Sequence, residues 1–342
     1  MEVNIYHNCD TTRSVKPFGS QKTTRPAQRL DQYRKHSIDR LRCSTINKLN
    51  GCKEVPSHVH RPDFLIIGAQ KAGTTSAHHA LCTHPSIWMP SIKELHAFDS
   101  GATHLSPQEL ERYFSIFSEA PAGSTRGEAT PSYLYAPHAA ASIHAALGSQ
   151  VKLIVLLRNP AKRAYSHYLM NLRKGYEKKS FADALEAEER RLEQGTQSML
   201  RYSYISRGYY HEQISRYLEY FDHSMMRIYV FEQDIIPAWE SVWTGLCSFL
   251  DLPHDATPPL QQSNSARQIR SPLVSWAMRQ PVLKRMKNKV ISRNANLKLR
   301  HALSQRAPAA APEMIAALND RYFKNDIKKL ETLLNRPLTA WR

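Results

Sequence analysis

The stretch FLIIGAQKAGTTSAHHAL, residues 64–81, constrains the fold of this chain more than any other feature. DFLIIGA is a short, continuously apolar run, which is typical of a strand buried on both faces of a parallel sheet. TTSAHHALCTH then predicts a helix that ends before Pro85. Gly68 and Gly73 lie in the turn between strand and helix, where backbone amides can approach a phosphate. The stretch therefore predicts an α/β fold with an anion-binding turn after its first strand.

The same alternation of strands and helices continues to about residue 252. VKLIVLLR, residues 151–158, predicts a second buried strand, and the next helix begins at Pro160. Ser180 is placed to cap a helix over SFADALEAEERRLEQG. Further elements are expected over 209–221 (helix), 226–232 (strand) and 238–250 (helix). This order predicts a single P-loop-like domain over residues 61–342, with a central, mostly parallel sheet flanked by helices and a helical C-terminal part.

The two ends of the chain differ from this middle part. Residues 1–60 are polar and basic, which predicts a flexible N-terminal extension. Residues 256–312 contain eleven Lys or Arg and no acidic residue. Three interpretations of this basic segment stay open: a solvated helix face, a dock for an acidic or lipid-linked acceptor at an anionic membrane surface, and nonspecific attraction of nucleic acid. Residues 313–342 predict a closing helix whose apolar positions pack on the core, namely Ile327, Leu330, Leu333 and Leu334.

Composition limits the class of protein and of partner. Lys and Arg number 47 against 30 Asp and Glu, and the formal charge of +17 favours anionic partners without choosing among them. The five cysteines are widely spaced and show neither a metal-binding spacing nor a disulfide framework. The chain starts without an apolar signal-peptide core and has no run of about 18 apolar residues. We therefore expect a soluble, cytoplasmic protein, and the sequence leaves its oligomeric state open.

The turn after the first strand departs from the spacing that holds a nucleoside triphosphate. That spacing, GxxxxGK[ST], has lysine directly after the second glycine. Here Thr74 occupies that place and Lys71 lies inside the turn. The sequence favours a single phosphate beside one cation, and the alternative is a plain strand–helix turn with a surface lysine.

Two motifs resemble the sulfotransferases that use 3′-phosphoadenosine 5′-phosphosulfate. Lys71-Ala72-Gly73-Thr74-Thr75 resembles their KxGTT loop, which holds the 5′-phosphosulfate, and Ser76 follows it. Arg158 and Ser166 have the spacing of the family's motif for the nucleotide 3′-phosphate. A guanidinium at a strand end suits a bidentate phosphate contact. The resemblance implies that Lys71, Ala72, Gly73, Thr74, Thr75, Ser76, Arg158 and Ser166 bind the cofactor.

The segment Lys93-Glu94-Leu95-His96-Ala97-Phe98-Asp99 resembles the KExHFFD segment of heparan sulfate sulfotransferases, with Ala97 in place of one aromatic. The resemblance implies that Glu94 takes the acceptor's proton, that His96 and Asp99 support it, and that Lys71 stabilises the leaving oxygen. A rival assignment makes His96 the base, as in sulfotransferases that use a histidine. No metal is required, since fixed cations take the place of magnesium.

Weaker resemblances add Tyr209, in RGYYHEQ, and Arg267, in SARQIR, as cofactor contacts. Tyr133 and Tyr135, in RGEATPSYLY, are candidates to stack on a sugar, with core packing expected for at least one of them. Together the motifs imply transfer of a sulfuryl group to a hydroxyl or amine, with a carbohydrate or glycolipid acceptor and no specific nucleic acid. The alternatives are an ATP- and magnesium-dependent kinase, disfavoured by the misplaced lysine, and a noncatalytic nucleic-acid-binding protein, which would leave both phosphate motifs unexplained.

Overall fold

The computed structural model describes residues 60–254, 256–260 and 309–342, with the backbone of two short strands between the last two ranges. The described residues belong to one compact unit, His58–Arg342. The predicted N-terminal extension, apart from residue 60, lies outside the described residues. So does most of the predicted basic segment 256–312, including the side chain of Arg267.

A five-stranded sheet forms the centre of this unit, and all its strand pairs are parallel. The strands are β1 (Phe64–Gly68), β2 (Ile87–Trp88), β3 (Thr125–Ala129), β4 (Lys152–Leu157) and β5 (Met226–Val230). Their order across the sheet is β2-β3-β1-β4-β5. Two further strands, β6 (Arg267–Ile269) and β7 (Ser304–Arg306), pair antiparallel. The buried parallel sheet confirms the predicted fold class.

Helices flank the sheet and follow the predicted alternation. In chain order the described helices α1–α11 are Thr74–Leu81, Pro107–Ser115, Ala139–Leu147, Pro160–Lys174, Phe181–Glu186, Glu188–Leu192, Thr196–Tyr202, Tyr210–Leu218, Trp239–Phe249, Pro312–Leu318 and Lys324–Leu334. Ser180 caps α5 as predicted, because its side chain accepts the Asp183 N–H. The four apolar positions of α11 pack on the main core, so their predicted role is confirmed.

Two elements end earlier than the sequence indicates. The single helix expected after Ser180 is divided at Ala187 into α5 and α6. The buried carboxylate of Glu188 accepts the backbone N–H groups of Ile205 and Ser206, which fixes the start of α6 against a distant loop. Strand β5 ends at Val230 and a π-helical turn, Phe231–Ile235, follows instead of two more strand residues.

Strand β3 has no counterpart in the prediction, because TRGEA carries little apolar signal. It nevertheless lies between β2 and β1. Gly127 is opposite Phe64, whose ring lies 2.1 Å from the position that a Cβ at Gly127 would occupy. Any larger residue would clash there, so glycine is what allows β3 to pair with β1.

No helix in the described ranges is long and apolar enough to cross a membrane. The cytoplasmic location and the contact of the basic segment with an anionic membrane surface stay predictions.

Candidate active site

The turn between β1 and α1 is built for close approach of a ligand to the backbone. Gly73, at the start of α1, has a φ of 98°, and Lys71 has a φ of 74°. A Cβ at Gly73 would lie 2.9 Å from the ring of Phe231. Both the left-handed backbone and the nearby ring therefore require glycine at this position. Ala72 and Thr74 are buried and Thr75 is half-buried, while Ser76 is buried in the first turn of α1.

The amine of Lys71 lies in a strongly positive environment. Its pKa is lowered to about 8, first by burial and then by the positive charges of Arg173, Arg158 and Lys174. The negative charge of Glu94 opposes this shift. A cation in such surroundings is stabilised by an anion that enters the site.

Arg158 follows β4, next to β1 in the sheet, so the side chain reaches the same turn. Its Nη1 donates to the carbonyl oxygen of Lys71 at 3.1 Å. Its Nε lies 3.9 Å from Glu232 Oε1 and is buried without a hydrogen-bond partner in the described part of the chain. Glu232 is itself held by the backbone N–H of Asn159 and by the indole of Trp341, at 3.0 Å. The C-terminal residues thus help to fix the strand end that carries Arg158.

Helix α4 begins directly after Arg158, with Asn159 as its cap and Pro160 in its first turn. The side chain of Asn159 accepts the Lys162 N–H at 3.1 Å. Ser166 lies two turns further along the helix and is half-buried. Arg158 thus follows the end of β4 and Ser166 lies within α4, and their contact with a 3′-phosphate stays a prediction.

The KELHAFD segment forms a connected row of polar side chains. Lys93 Nζ donates to Glu94 Oε1 at 2.8 Å, and Glu94 Oε2 lies 3.7 Å from His96 Nε2. His96 Nδ1 lies 2.7 Å from Asp99 Oδ2, and Ser132 Oγ donates to the same carboxylate oxygen. Asp99 is buried, whereas Glu94 and His96 reach solvent. A substrate can therefore approach the exposed members of the row while the buried member stays fixed.

Electrostatics support this arrangement of His96 and Asp99. The hydrogen bond to Asp99 raises the pKa of His96, against the opposing effect of burial. Burial by itself would raise the pKa of Asp99, but hydrogen bonds from His96 and Ser132 outweigh it and the pKa is lowered. An ionised Asp99 fixes the Nδ1–H of His96 and leaves Nε2 directed toward Glu94.

Comparison with known proteins decides the family. The model of the family described as "Sulfotransferase domain" matches residues 61–304 of this chain. The chain belongs to the sulfotransferase family. A crystal structure of a sulfotransferase from Alicyclobacillus acidocaldarius shares the fold, with a TM-score of 0.61 and 26% identity over 82% of this chain and 99% of that one.

Two relatives of known name are also sulfotransferases. The bifunctional heparan sulfate N-deacetylase/N-sulfotransferase 1 of Caenorhabditis elegans is 32% identical over 56% of this chain and 22% of its own length. Heparan sulfate glucosamine 3-O-sulfotransferase 6 of Homo sapiens is 34% identical over 35% of this chain and 33% of its own length. This sulfotransferase-family chain thus spans no more than a third of either relative.

The three predicted tyrosines of this sulfotransferase domain differ in how deeply they are buried. Tyr209 is half-buried and its ring packs against Phe323, at 5.7 Å between centroids. Tyr133 is fully buried, which confirms core packing for one of the two tyrosines. Tyr135 is half-buried, and its hydroxyl lies 2.8 Å from Ser206 Oγ.

Several charged residues that act on this site were not among the predicted site residues. Arg173 and Lys174 are exposed at the end of α4, yet their charges act on Lys71. Arg207 is buried over the ring of Tyr135, with 4.6 Å between its Cζ and the ring centroid, and its charge helps to lower the pKa of Asp99. Glu128 lies fully buried in β3. Their surroundings depend on the fold and not on the motifs, so sequence reasoning could not assign them a role.

Proposed function

We propose that this protein transfers a sulfuryl group from 3′-phosphoadenosine 5′-phosphosulfate to a hydroxyl or amine of a carbohydrate or glycolipid. The proposal rests on the contacts of the β1–α1 turn and of the KELHAFD segment with the same end of the sheet. Arg158 donates a hydrogen bond to the backbone of Lys71. On the other side of β1, Leu134 donates its N–H to the carbonyl oxygen of Ile67 at 2.8 Å, and the adjacent Tyr133 accepts the backbone N–H of Ala97 in the KELHAFD segment. Anion-binding groups and a candidate base therefore lie within the same site.

The donor set fits a nucleotide with phosphate groups at two positions. Lys71 and the amides of the β1–α1 turn would hold the 5′-phosphosulfate, at the start of α1. The buried Nε of Arg158, which lacks a hydrogen-bond partner among the described residues, would bond to the 3′-phosphate together with Ser166. The bound nucleotide supplies the sulfuryl group and leaves as adenosine 3′,5′-bisphosphate.

Residues of the chain would then accept the acceptor's proton and stabilise the negative charge that develops on the leaving oxygen. Glu94 accepts the proton of the acceptor's hydroxyl or amine as the new bond to sulfur forms. The Lys71 amine stabilises the oxygen that sulfur leaves. His96, oriented by Asp99, lies beside Glu94 and keeps that carboxylate in place. These roles need only groups that the described chain provides.

The relatives and the surface charge support a carbohydrate acceptor. Both relatives are named for heparan sulfate, an anionic polysaccharide. Arg173 and Lys174 are exposed at the end of α4, and their positive charges act on the Lys71 amine. Exposed cations beside a site favour an anionic acceptor because they steer it toward the reacting groups.

Binding and transfer can be tested separately. Adenosine 3′,5′-bisphosphate at a hundred times its dissociation constant should stabilise the protein by about 2.7 kcal/mol, with or without EDTA. Radiolabelled sulfate should pass from the donor to heparosan or to a glycolipid, and Lys71→Ala and Arg158→Ala should each abolish both effects. A melting shift with ADP and magnesium alone would contradict the proposal and indicate a kinase.

A further inference from the structure

The loop that carries Glu94 and His96 holds an unfavourable backbone conformation. Glu94 has a φ of 68° and His96 a φ of 56°, both in the left-handed region that side chains other than glycine rarely adopt. Such a conformation persists only where surrounding contacts impose it. The residues that impose it are therefore part of how the candidate active site is built.

Contacts from the end of β3 and from α2 fix this loop immediately after His96. The backbone N–H of Ala97 donates to the hydroxyl of Tyr133 at 3.0 Å. The ring of Phe98 packs edge-on against Tyr113 and Tyr133, at centroid distances of 5.0 and 5.4 Å. Asp99 accepts a hydrogen bond from Ser132. Successive residues of the loop are thus each tied to the same neighbouring wall.

The carboxylate of Glu128 holds that wall together. Its Oε1 accepts from the hydroxyl of Tyr113 at 2.6 Å and from that of Tyr133 at 3.1 Å, and its Oε2 accepts from Thr130 at 2.8 Å. All four side chains are buried. Burial raises the pKa of Glu128, and the charge of Asp99 adds to this effect, while the three hydroxyls lower it. A buried carboxylate at this position is unfavourable unless these donors stay in place, so it fixes both tyrosine hydroxyls.

We propose that Tyr133, whose hydroxyl is fixed by Glu128 within a buried cluster that also includes Tyr113, holds the 93–99 loop in its left-handed conformation and so sets Glu94 and His96 for reaction. The cluster acts through the loop and does not itself touch the substrate. Tyr133 is the member that contacts the loop backbone, and Tyr113 contributes only its ring and its bond to Glu128. This inference rests on the proposed function, because it concerns the loop that carries the candidate base.

Two matched variants separate positioning from stability. Tyr133→Phe and Tyr113→Phe each keep the ring against Phe98 and each remove one hydroxyl from Glu128, but only Tyr133→Phe removes the acceptor of the Ala97 N–H. In the full-length chain, hydrogen exchange of the peptide containing residues 93–99 should become at least about fivefold faster in Tyr133→Phe. In Tyr113→Phe it should stay within about twofold of the parent protein. Equal exchange in the two variants, or no change in Tyr133→Phe, would overturn the proposal.

A second measurement reports on the side chains of the loop. Asp99, Glu94 and Glu128 all act on His96 and hold its pKa above the ordinary value. NMR titration of His96, assigned with a His96→Asn variant, should show this pKa falling toward about 6.5 in Tyr133→Phe and unchanged in Tyr113→Phe. If the two tyrosines only stabilised the fold, both variants would have a lower melting temperature and neither would change the pKa of His96.

Two controls keep the outcomes distinct. If Tyr133→Phe does not fold, Glu128→Gln weakens the bond that fixes the Tyr133 hydroxyl instead, and faster exchange over residues 93–99 is then the expected result. Exchange as slow as in the parent would count against the cluster. Melting shifts with adenosine 3′,5′-bisphosphate report on the proposed function alone. Their absence in the parent protein would remove the cofactor assignment while the exchange data still decide whether the cluster positions the loop.

Discussion

Lys71 lies among other positive charges, so its protonation should respond to an anion bound in the same turn. Its pKa is lowered to about 8, first by burial and then by Arg173, Arg158 and Lys174. A phosphosulfate or phosphate bound at this turn supplies the opposite charge and raises that pKa again. Binding of adenosine 3′,5′-bisphosphate should therefore take up a proton from solution, increasingly so as the pH rises through this value.

The size of the effect follows from the pKa. A group with a pKa of about 8 is roughly one-tenth neutral at pH 7, half neutral near pH 8 and roughly nine-tenths neutral at pH 9. If the bound amine is fully charged, proton uptake per ligand rises from about 0.1 at pH 7 to about 0.9 at pH 9. Over the same range the dissociation constant should rise about tenfold.

Isothermal titration calorimetry measures this uptake directly. Titrations at each pH in two buffers of different ionisation enthalpy give the number of protons bound with the ligand. The control is Lys71→Arg, whose guanidinium stays protonated throughout this range, so the uptake at pH 9 should disappear. Titration of the ligand's own phosphates, with a second pKa of about 6, is shared by both proteins. Equal uptake in Lys71→Arg, or none in the parent at pH 9, would refute the argument.

Three further perturbations test separate parts of the structure. Gly73→Ala places a Cβ 2.9 Å from the Phe231 ring at a φ of 98°, so bisphosphate binding in a melting assay should weaken by tenfold or more, roughly the effect of 1.4 kcal/mol. Glu94→Gln should lower kcat by about a hundredfold or more with cofactor affinity unchanged, and a greater loss in His96→Asn would make His96 the base. Burial raises the pKa of Asp326 to about 7, so its carboxylate costs stability as the pH rises from about 4 to 7. Asp326→Asn should raise the free energy of unfolding at pH 8 by an amount on the order of 2 kcal/mol, seen as a higher melting temperature, and leave it nearly unchanged at pH 4. An equal shift at both pH values would exclude this cause.

Local sequence was sufficient to predict the elements whose conformation depends on neighbouring residues in the chain. The run FLIIG is apolar throughout because β1 has neighbours on both sides and helices on both faces, and β4 is similar. The position of Lys71 inside the turn distinguishes a sulfotransferase loop from a triphosphate loop, and the family match agrees. Helix caps such as Ser180 also depend only on neighbouring residues. The base assignment between Glu94 and His96 stays a prediction.

Tertiary structure decided the features that depend on residues far apart in the chain. TRGEA carries little apolar signal, yet it pairs with β1 as β3, where Gly127 leaves room for the ring of Phe64. Once β3 is in the sheet, Glu128 is buried beside the KELHAFD segment, where hydroxyls from other elements compensate its charge. Likewise, Arg173, far from Lys71 in the sequence and at the end of α4, helps to lower the pKa of that amine. Sequence patterns report which faces of an element are apolar, whereas pKa values and strained loops depend on neighbours that only the folded chain brings together.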